Sequence, residues 1–401
     1  MVSGERALAN TSEAELPRTA PLLAIVFIMV GSVSTLWPVL TPFARDLGAG
    51  GFGLGLTVGA IYATRLVLGP WIGRTADRYG YRALLLFGTL LYIPIGIVYA
   101  SANSVAVLVL ARLLHGVGSA IVLPMVMAVL GQHARGRGGT VMARYNAAQW
   151  LGYAVGPLVG GLLIAEIGYR AVFALLPPAG IVAALFVLAI DRRLTNAPAK
   201  ASATAGAPKP MIDRDGRLLL GYNFIVAPAS LIIMSFFPLL ADDRGYGPVL
   251  IGGLLALTAF ATAAVQPFWG RLADRSGVRP LLVAGGLGAL ASLALLGAVD
   301  ALVVAVVTTL TAGLFLAALV AGTSTAAVEA GKSRGMGAYM GLFASAGSTG
   351  QALMPLIFGL LLGQIGVDGL LIAVGVLVAI ASLAFLVGVG LARTSGVAAD
   401  D

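Results

Sequence analysis

Residues 70–82 read PWIGRTADRYGYR, and residues 267–279 read PFWGRLADRSGVR. Both fit P-x-x-G-R-x-A-D-R-x-G-x-R, and the second copy starts 197 residues after the first. The repetition stands out because only 10% of the 401 residues are charged. Soluble domains are about a quarter charged and just under half apolar. This chain is 59% hydrophobic, with a mean hydropathy of +0.97. An apolar run of about 20 residues spans the hydrocarbon core of a bilayer as a helix. Twelve such runs fall between residues 21 and 391, separated by short polar connections that leave no room for a water-soluble catalytic domain. The expected architecture is therefore an all-α membrane protein with twelve transmembrane helices.

Charge places the connections. Cytoplasmic loops collect Lys and Arg. Under twelve spans only Arg45, Arg170 and Arg244 fall on the outer side, while Arg65, Arg112 and Arg144 lie inside spans and the other basic residues gather opposite. Both termini are thus expected on the cytoplasmic side of the membrane. The net charge of +8 follows from these loops without a nucleic-acid partner. The first apolar run is longer than a signal-peptide core and reads as a retained span. With no cysteine in the chain, disulfides and thiolate metal sites are excluded.

The doubled segment lies between runs 2 and 3 and again between runs 8 and 9. It divides the chain into a cytoplasmic N-terminus (1–20), a six-helix bundle (21–190), a linker (191–216), a second six-helix bundle (217–391) and a tail (392–401). Pro157 and Pro355, 198 apart, strengthen the match. Parallel six-span repeats are one organisation of secondary transporters. The linker, rich in Ala, Pro and Lys, reads as a flexible tether.

On these residues the chain resembles the major facilitator superfamily of transporters. Gly73, Arg74, Asp77, Arg78, Gly80 and Arg82 look like that family's loop 2–3 signature, and Gly270, Asp274 and Arg275 belong to its second copy. Gly73 and Gly80 permit a tight turn, and Asp77 can accept from a helix N-terminus or pair with an Arg. The resemblance implies that Asp77 latches the outward-open state, the alternative being a topological anchor. A second signature, Gly152, Gly156, Pro157, Gly160 and Gly161, resembles that of drug:proton antiporters. Its glycines allow close helix approach and its proline invites a bend. A third, Arg112 with Gly116, carries His115 where exporters usually have Gln.

Placing an Arg within a span costs about 2.5–3.5 kcal/mol, so such residues are functional candidates. Arg112, Arg65 and His115 are expected to line the site or couple it to protons, with Arg144 near the cytoplasmic start of its span. Family members commonly hold a carboxylate in span 1, but residues 22–43 contain no acid, so His115 is the candidate proton carrier. Substrate contacts are expected from Tyr62, Trp150, Tyr222, Phe236, Phe237, Phe343 and Met354, with Asn146, Gln149, Asn223, Gln266 and Gln351 as polar partners.

The sequence GAGGFG at 48–53 fits G-x-G-x-x-G but follows a membrane helix, so it is not a nucleotide loop. No metal cluster or nucleophile triad appears. The chain therefore reads as a transporter, not an enzyme. It is expected to act as a monomer in the lipid bilayer, binding a small molecule, with the proton as coupling ion and no cofactor. The leading function is export of lipophilic or amphipathic compounds by proton antiport. The alternative is transport of an organic anion, such as an organic acid, siderophore or lipid-like anion, held by the intramembrane arginines.

Overall fold

The computed structural model describes residues 19–132, 138–190, 213–334 and 336–397. Eleven of its helices are long and apolar enough to cross a membrane, and the described residues contain no strand. In chain order they are α1 (Thr19–Asp46), α2 (Gly51–Tyr79), α3 (Tyr81–Ala100), α4 (Val105–Gln132), α5 (Gly138–Ile167) and α6 (Tyr169–Ala189). After the linker come α7 (Arg214–Asp243), α8 (Pro248–Ser276), α9 (Arg279–Ala298), α10 (Leu302–Arg334) and α11 (Met336–Val397). The last two expected spans run as one helix, α11, bent at Gly366 with φ 69° and ψ 177°.

The breaks follow from local chemistry. Among the described residues six glycines carry positive φ, and they fall in three pairs: Gly48 with Gly245, Gly80 with Gly277, and Gly168 with Gly366. Only a residue without Cβ turns there at little cost. The structure corrects one expectation: Gly73 lies inside α2 and Gly270 inside α8, so the chain turns at Gly80 and Gly277 instead. Helix also starts earlier than the expected linker edge, because Asp213 caps α7 by accepting from the Gly216 N–H at 2.8 Å. Linker residues 191–212 lie outside the described residues. The expected tail is helical through Val397.

Burial orders the helices. The apolar window of α7 is 78% buried and that of α5 only 33%, so α7 is enclosed on most sides while α5 leaves more of its surface uncovered. Large apolar side chains such as Phe260, Val303 and Leu360 face outward from the bundle, as a lipid-facing surface requires.

Three arginines close helix ends whose last carbonyls have no partner within the helix. Arg170 donates to the carbonyls of Ala100 (2.9 Å) and Ala102 (3.5 Å) at the end of α3. Arg244 donates to Gly297 (3.1 Å) and Val299 (3.3 Å) at the end of α9, and is held by Asp368 at 3.0 Å. Arg82 donates to Leu188 (2.9 Å) and Ile190 (2.6 Å) at the end of α6. Cations also suit the negative end of a helix dipole. Arg170 and Arg244, two of the three basic residues that sorted against the majority, are thus occupied with backbone capping.

Candidate functional site

A cavity, partly open to solvent, lies between the first six helices and the rest. Its wall from the first half is aromatic: Trp37 of α1, Tyr62 of α2, and Trp150 and Tyr153 of α5. Trp37 and Tyr153 stack with centroids 5.0 Å apart, and Trp150 meets Tyr153 edge-on at 5.5 Å. The second half supplies Ser230, Leu231 and Met234 from α7, Ala259 and Thr262 from α8, and Leu316, Val320 and Gln351 beyond them. None of these lining residues is acidic or basic.

The sequence itself places Trp37. Pro38 has no N–H to continue the ladder of α1, and the helix breaks at residues 35–36 immediately before Trp37. The glycine signature supports that break. A Cβ on Gly152 would press on Gly31, one on Gly156 would overlap Ser34, and one on Gly160 would overlap the Thr35 carbonyl and Pro38. Ser34 Oγ donates to the Gly152 carbonyl at 2.9 Å. Three of the four signature glycines therefore seat α5 against α1, which brings Tyr153 onto Trp37.

The fourth, Gly161, faces the other half. A Cβ there would overlap the Pro248 carbonyl and crowd Gly252, and one on Gly252 would overlap the Pro157 carbonyl. The same contact recurs between α2 and α11, where Cβ atoms on Gly51 and Gly55 would overlap the carbonyls of Gly359 and Pro355. Close by, Arg45 of α1 pairs with Asp242 and Asp243 of α7, and Thr41 donates to the Ser235 carbonyl. All of these ties sit toward one end of the molecule, the Arg45 end. Toward the opposite end of the same helices, a Cβ on Gly69 or Gly270 would meet nothing within 4 Å.

Expected site residues divide accordingly. Tyr62, Trp150 and Gln351 line the cavity. Gln149 lies against the Tyr153 hydroxyl, Asn146 is exposed and Arg144 half-buried. The Gln266 amide nitrogen is buried without a hydrogen-bond partner, one turn beyond Thr262. Tyr222 instead packs within the second half, with its hydroxyl on Ser382 at 3.2 Å and its ring on Phe385. Phe236 and Phe237 are core residues. Asn223 donates to the Phe343 carbonyl at 2.8 Å, which ties α7 to α11. The sequence reading missed Trp37, Tyr153, Met234 and Thr262. The neighbouring Pro38 and Gly152 were the signals that marked the first two.

Arg112 and His115 are buried inside the first half, away from the cavity wall. Arg112 Nε donates to the Thr57 carbonyl at 2.9 Å and Nη2 to that of Val58 at 3.3 Å, which ties α4 to α2. The Gly116 backbone fits beneath Thr64 and the Ile61 carbonyl in the same seam. His115 Nδ1 meets the Tyr99 hydroxyl at 3.2 Å between the rings of Tyr92 and Tyr99, while Nε2 has no partner. Of the proposed latch, the side chains of Arg74, Asp77, Arg78 and Asp274 lie outside the described residues.

The same chain has recognisable relatives. It is 26% identical over 226 residues to the quinolone resistance protein NorA of Staphylococcus aureus (strain MRSA252), covering 55% of each chain. It is 23% identical over 255 residues to multidrug resistance protein 2 of Bacillus subtilis (strain 168), covering 61% of this chain and 64% of that one. The chain thus spans between half and two thirds of the length of these relatives. Solved transporters share the fold along nearly the whole chain. An inward-facing, unoccupied bacterial homologue of the human lysosomal transporter Spinster superposes with TM-score 0.74 at 16% identity, over 93% of this chain and 96% of that one. A POT family transporter in complex with 5-aminolevulinic acid gives 0.77 at 14% identity, over 92% and 95%. A sequence model of the Major Facilitator Superfamily matches residues 22–231 and 218–398. This multi-pass membrane protein belongs to the major facilitator superfamily of transporters.

Proposed function

We propose that the protein is a secondary active exporter of small amphipathic compounds. It works by alternating access between two parallel six-helix repeats, with twelve crossings once α11 is divided at Gly366. The observation that carries this reading is the aromatic cavity between the halves, tied shut at the Arg45 end. A site held between two rigid halves becomes a transport site when the tie passes from one end to the other. The three pairs of turn glycines, 197 or 198 residues apart, support a duplicated half-molecule. The resistance proteins among the relatives support export. With the Arg45 end external and both termini cytoplasmic in a cell membrane, the arrangement is inward-facing. The chain is expected to work as a monomer, since both halves lie in it.

We read the transport as proton antiport. Since no carboxylate lines the cavity, the proton carrier is expected at His115, whose Nε2 is free to take it. The groups facing His115 are Arg112, Arg65, Tyr92 and Tyr99. His115 is fully buried within the first half, so a proton reaches it only when the helices part. The test is the full chain in liposomes under an imposed pH gradient, with lumenal pH followed as amphipathic substrates are added. Substrate-triggered proton movement that disappears in His115→Asn, with downhill substrate flux retained, is the expected result. Proton movement unchanged in that variant contradicts the assignment of the carrier. Substrate flux indifferent to the gradient contradicts antiport.

A further inference from the structure

Arg65, Arg112 and Arg144 of the first half fall inside its apolar runs, and their partners differ. Arg112 is 5% exposed and spends its guanidinium on two backbone carbonyls of α2. Arg144 stands near the start of α5, half-buried. Arg65 sits one helical turn beyond Tyr62, with Cζ 5.5 Å from the centre of that ring. It makes no hydrogen bond or ion pair with any described residue. A ring face stabilises a guanidinium by about 0.5–2 kcal/mol, less than the cost of about 2.5–3.5 kcal/mol of holding it within a span. Among the described residues, none supplies an acceptor for the remaining N–H donors of Arg65.

Its position says where the acceptor belongs. Tyr62 lines the cavity, and Arg65, three residues on, shares its face of α2. Arg65 is also close enough to act electrostatically on Tyr153, another wall residue. Across the cavity the amide nitrogen of Gln266 is a second buried donor without a partner, on the face of α8 that presents Thr262. Unmet donors at the edge of an aromatic cavity that holds no acid fit one kind of guest.

We propose that Arg65 selects the substrate by its charge, and that the preferred substrates are aromatic carboxylates. The aromatic plane lies against Trp37, Trp150 and Tyr153, and the carboxylate accepts the fork of Arg65, for which guanidinium geometry is matched. This rests on the cavity being the transport site, as proposed above.

The test uses three compounds on one ring system: 2-naphthoate, 2-naphthamide and 2-naphthylmethylammonium. Binding to the detergent-purified full chain is measured by calorimetry, and uptake of radiolabelled 2-naphthoate is measured in proteoliposomes. The wild type is expected to bind the carboxylate at least about tenfold more tightly than the amide, as a charge-assisted bidentate pair implies. Arg65→Gln should erase that ratio, Arg65→Lys should restore part of it, and Arg112→Met should preserve it. Thermal unfolding of each variant separates lost selectivity from lost folding. Equal binding of all three compounds by the wild type, preference for the ammonium compound, or an unchanged ratio in a folded Arg65→Gln overturns the inference and leaves the exporter reading standing. Failure of all three to bind or be transported contradicts the exporter reading as well, and takes the inference with it.

Discussion

The two ends of this molecule are built from the same helices and behave differently. At the Arg45 end, α2 meets α11 and α5 meets α8 with backbones so close that a single added Cβ overlaps a carbonyl, and an ion pair joins α1 to α7. Farther along α2 and α8, Gly69 and Gly270 face open space. Small residues let helices approach in a bilayer, where no hydrophobic force drives them together. The difference teaches that closure is written locally, by which glycines meet a backbone of the facing half, so that one end can part while each half stays intact.

The largest effect is expected from breaking the close approach. Gly55→Leu or Gly252→Leu drives a side chain into a carbonyl across the interface. Either should abolish transport with normal membrane insertion, whereas Gly69→Ala should leave transport unchanged. Comparable loss in all three would erase the distinction between the ends, and a flux assay on matched amounts of protein decides it.

Next is the opposite end, where the charged segment 70–82 is the expected latch of the other state. Asp77→Asn should lower transport by about tenfold, the scale of one lost charge-assisted contact, while abundance holds. Equal loss of flux and abundance would make that segment a topological anchor.

Smaller still is the tie inside the first half. Arg112→Met removes two charged hydrogen bonds between α4 and α2 and should lower the melting temperature by about 5 °C without changing substrate preference. A stable variant with altered preference would move Arg112 into the site. The smallest effect belongs to the exposed ion pair. Arg45→Ala should shift the population open at that end by only about two- to fivefold, because such pairs contribute under about 1 kcal/mol. A shift near a hundredfold, seen by spin-label distances, would make the pair the dominant closure.

Much of this was legible in the sequence, for physical reasons. Apolar runs of membrane length declare their helices, and the doubled charged segment with its matched prolines is the signal for the repeat proposed above. Tyr62, Trp150 and Gln351 were readable as cavity residues because they are large or polar side chains well inside membrane-length runs. What could not be read was rotation. Arg112 and Arg65 look alike in a string, yet one faces a neighbouring helix backbone and the other an aromatic ring. Tyr222 and Phe236 likewise lie at the right depth but turn into their own half. Trp37 needed the break at Pro38 to bring it to the wall, and that consequence appears only when α5 is seated on α1.

The chain has no cysteine, so spin-label pairs can be introduced without background. The most direct measurement places one pair at Gly50→Cys and Gly247→Cys, beside the tie at the Arg45 end, and another at Thr75→Cys and Ser276→Cys at the other end. Distances are then recorded in nanodiscs with and without a transported substrate, at neutral and acidic pH. The account predicts a short distance for the first pair and a long one for the second at rest, with opposite movements when substrate or protons are added. Distances that stay fixed under transporting conditions, or that lengthen together, would contradict it.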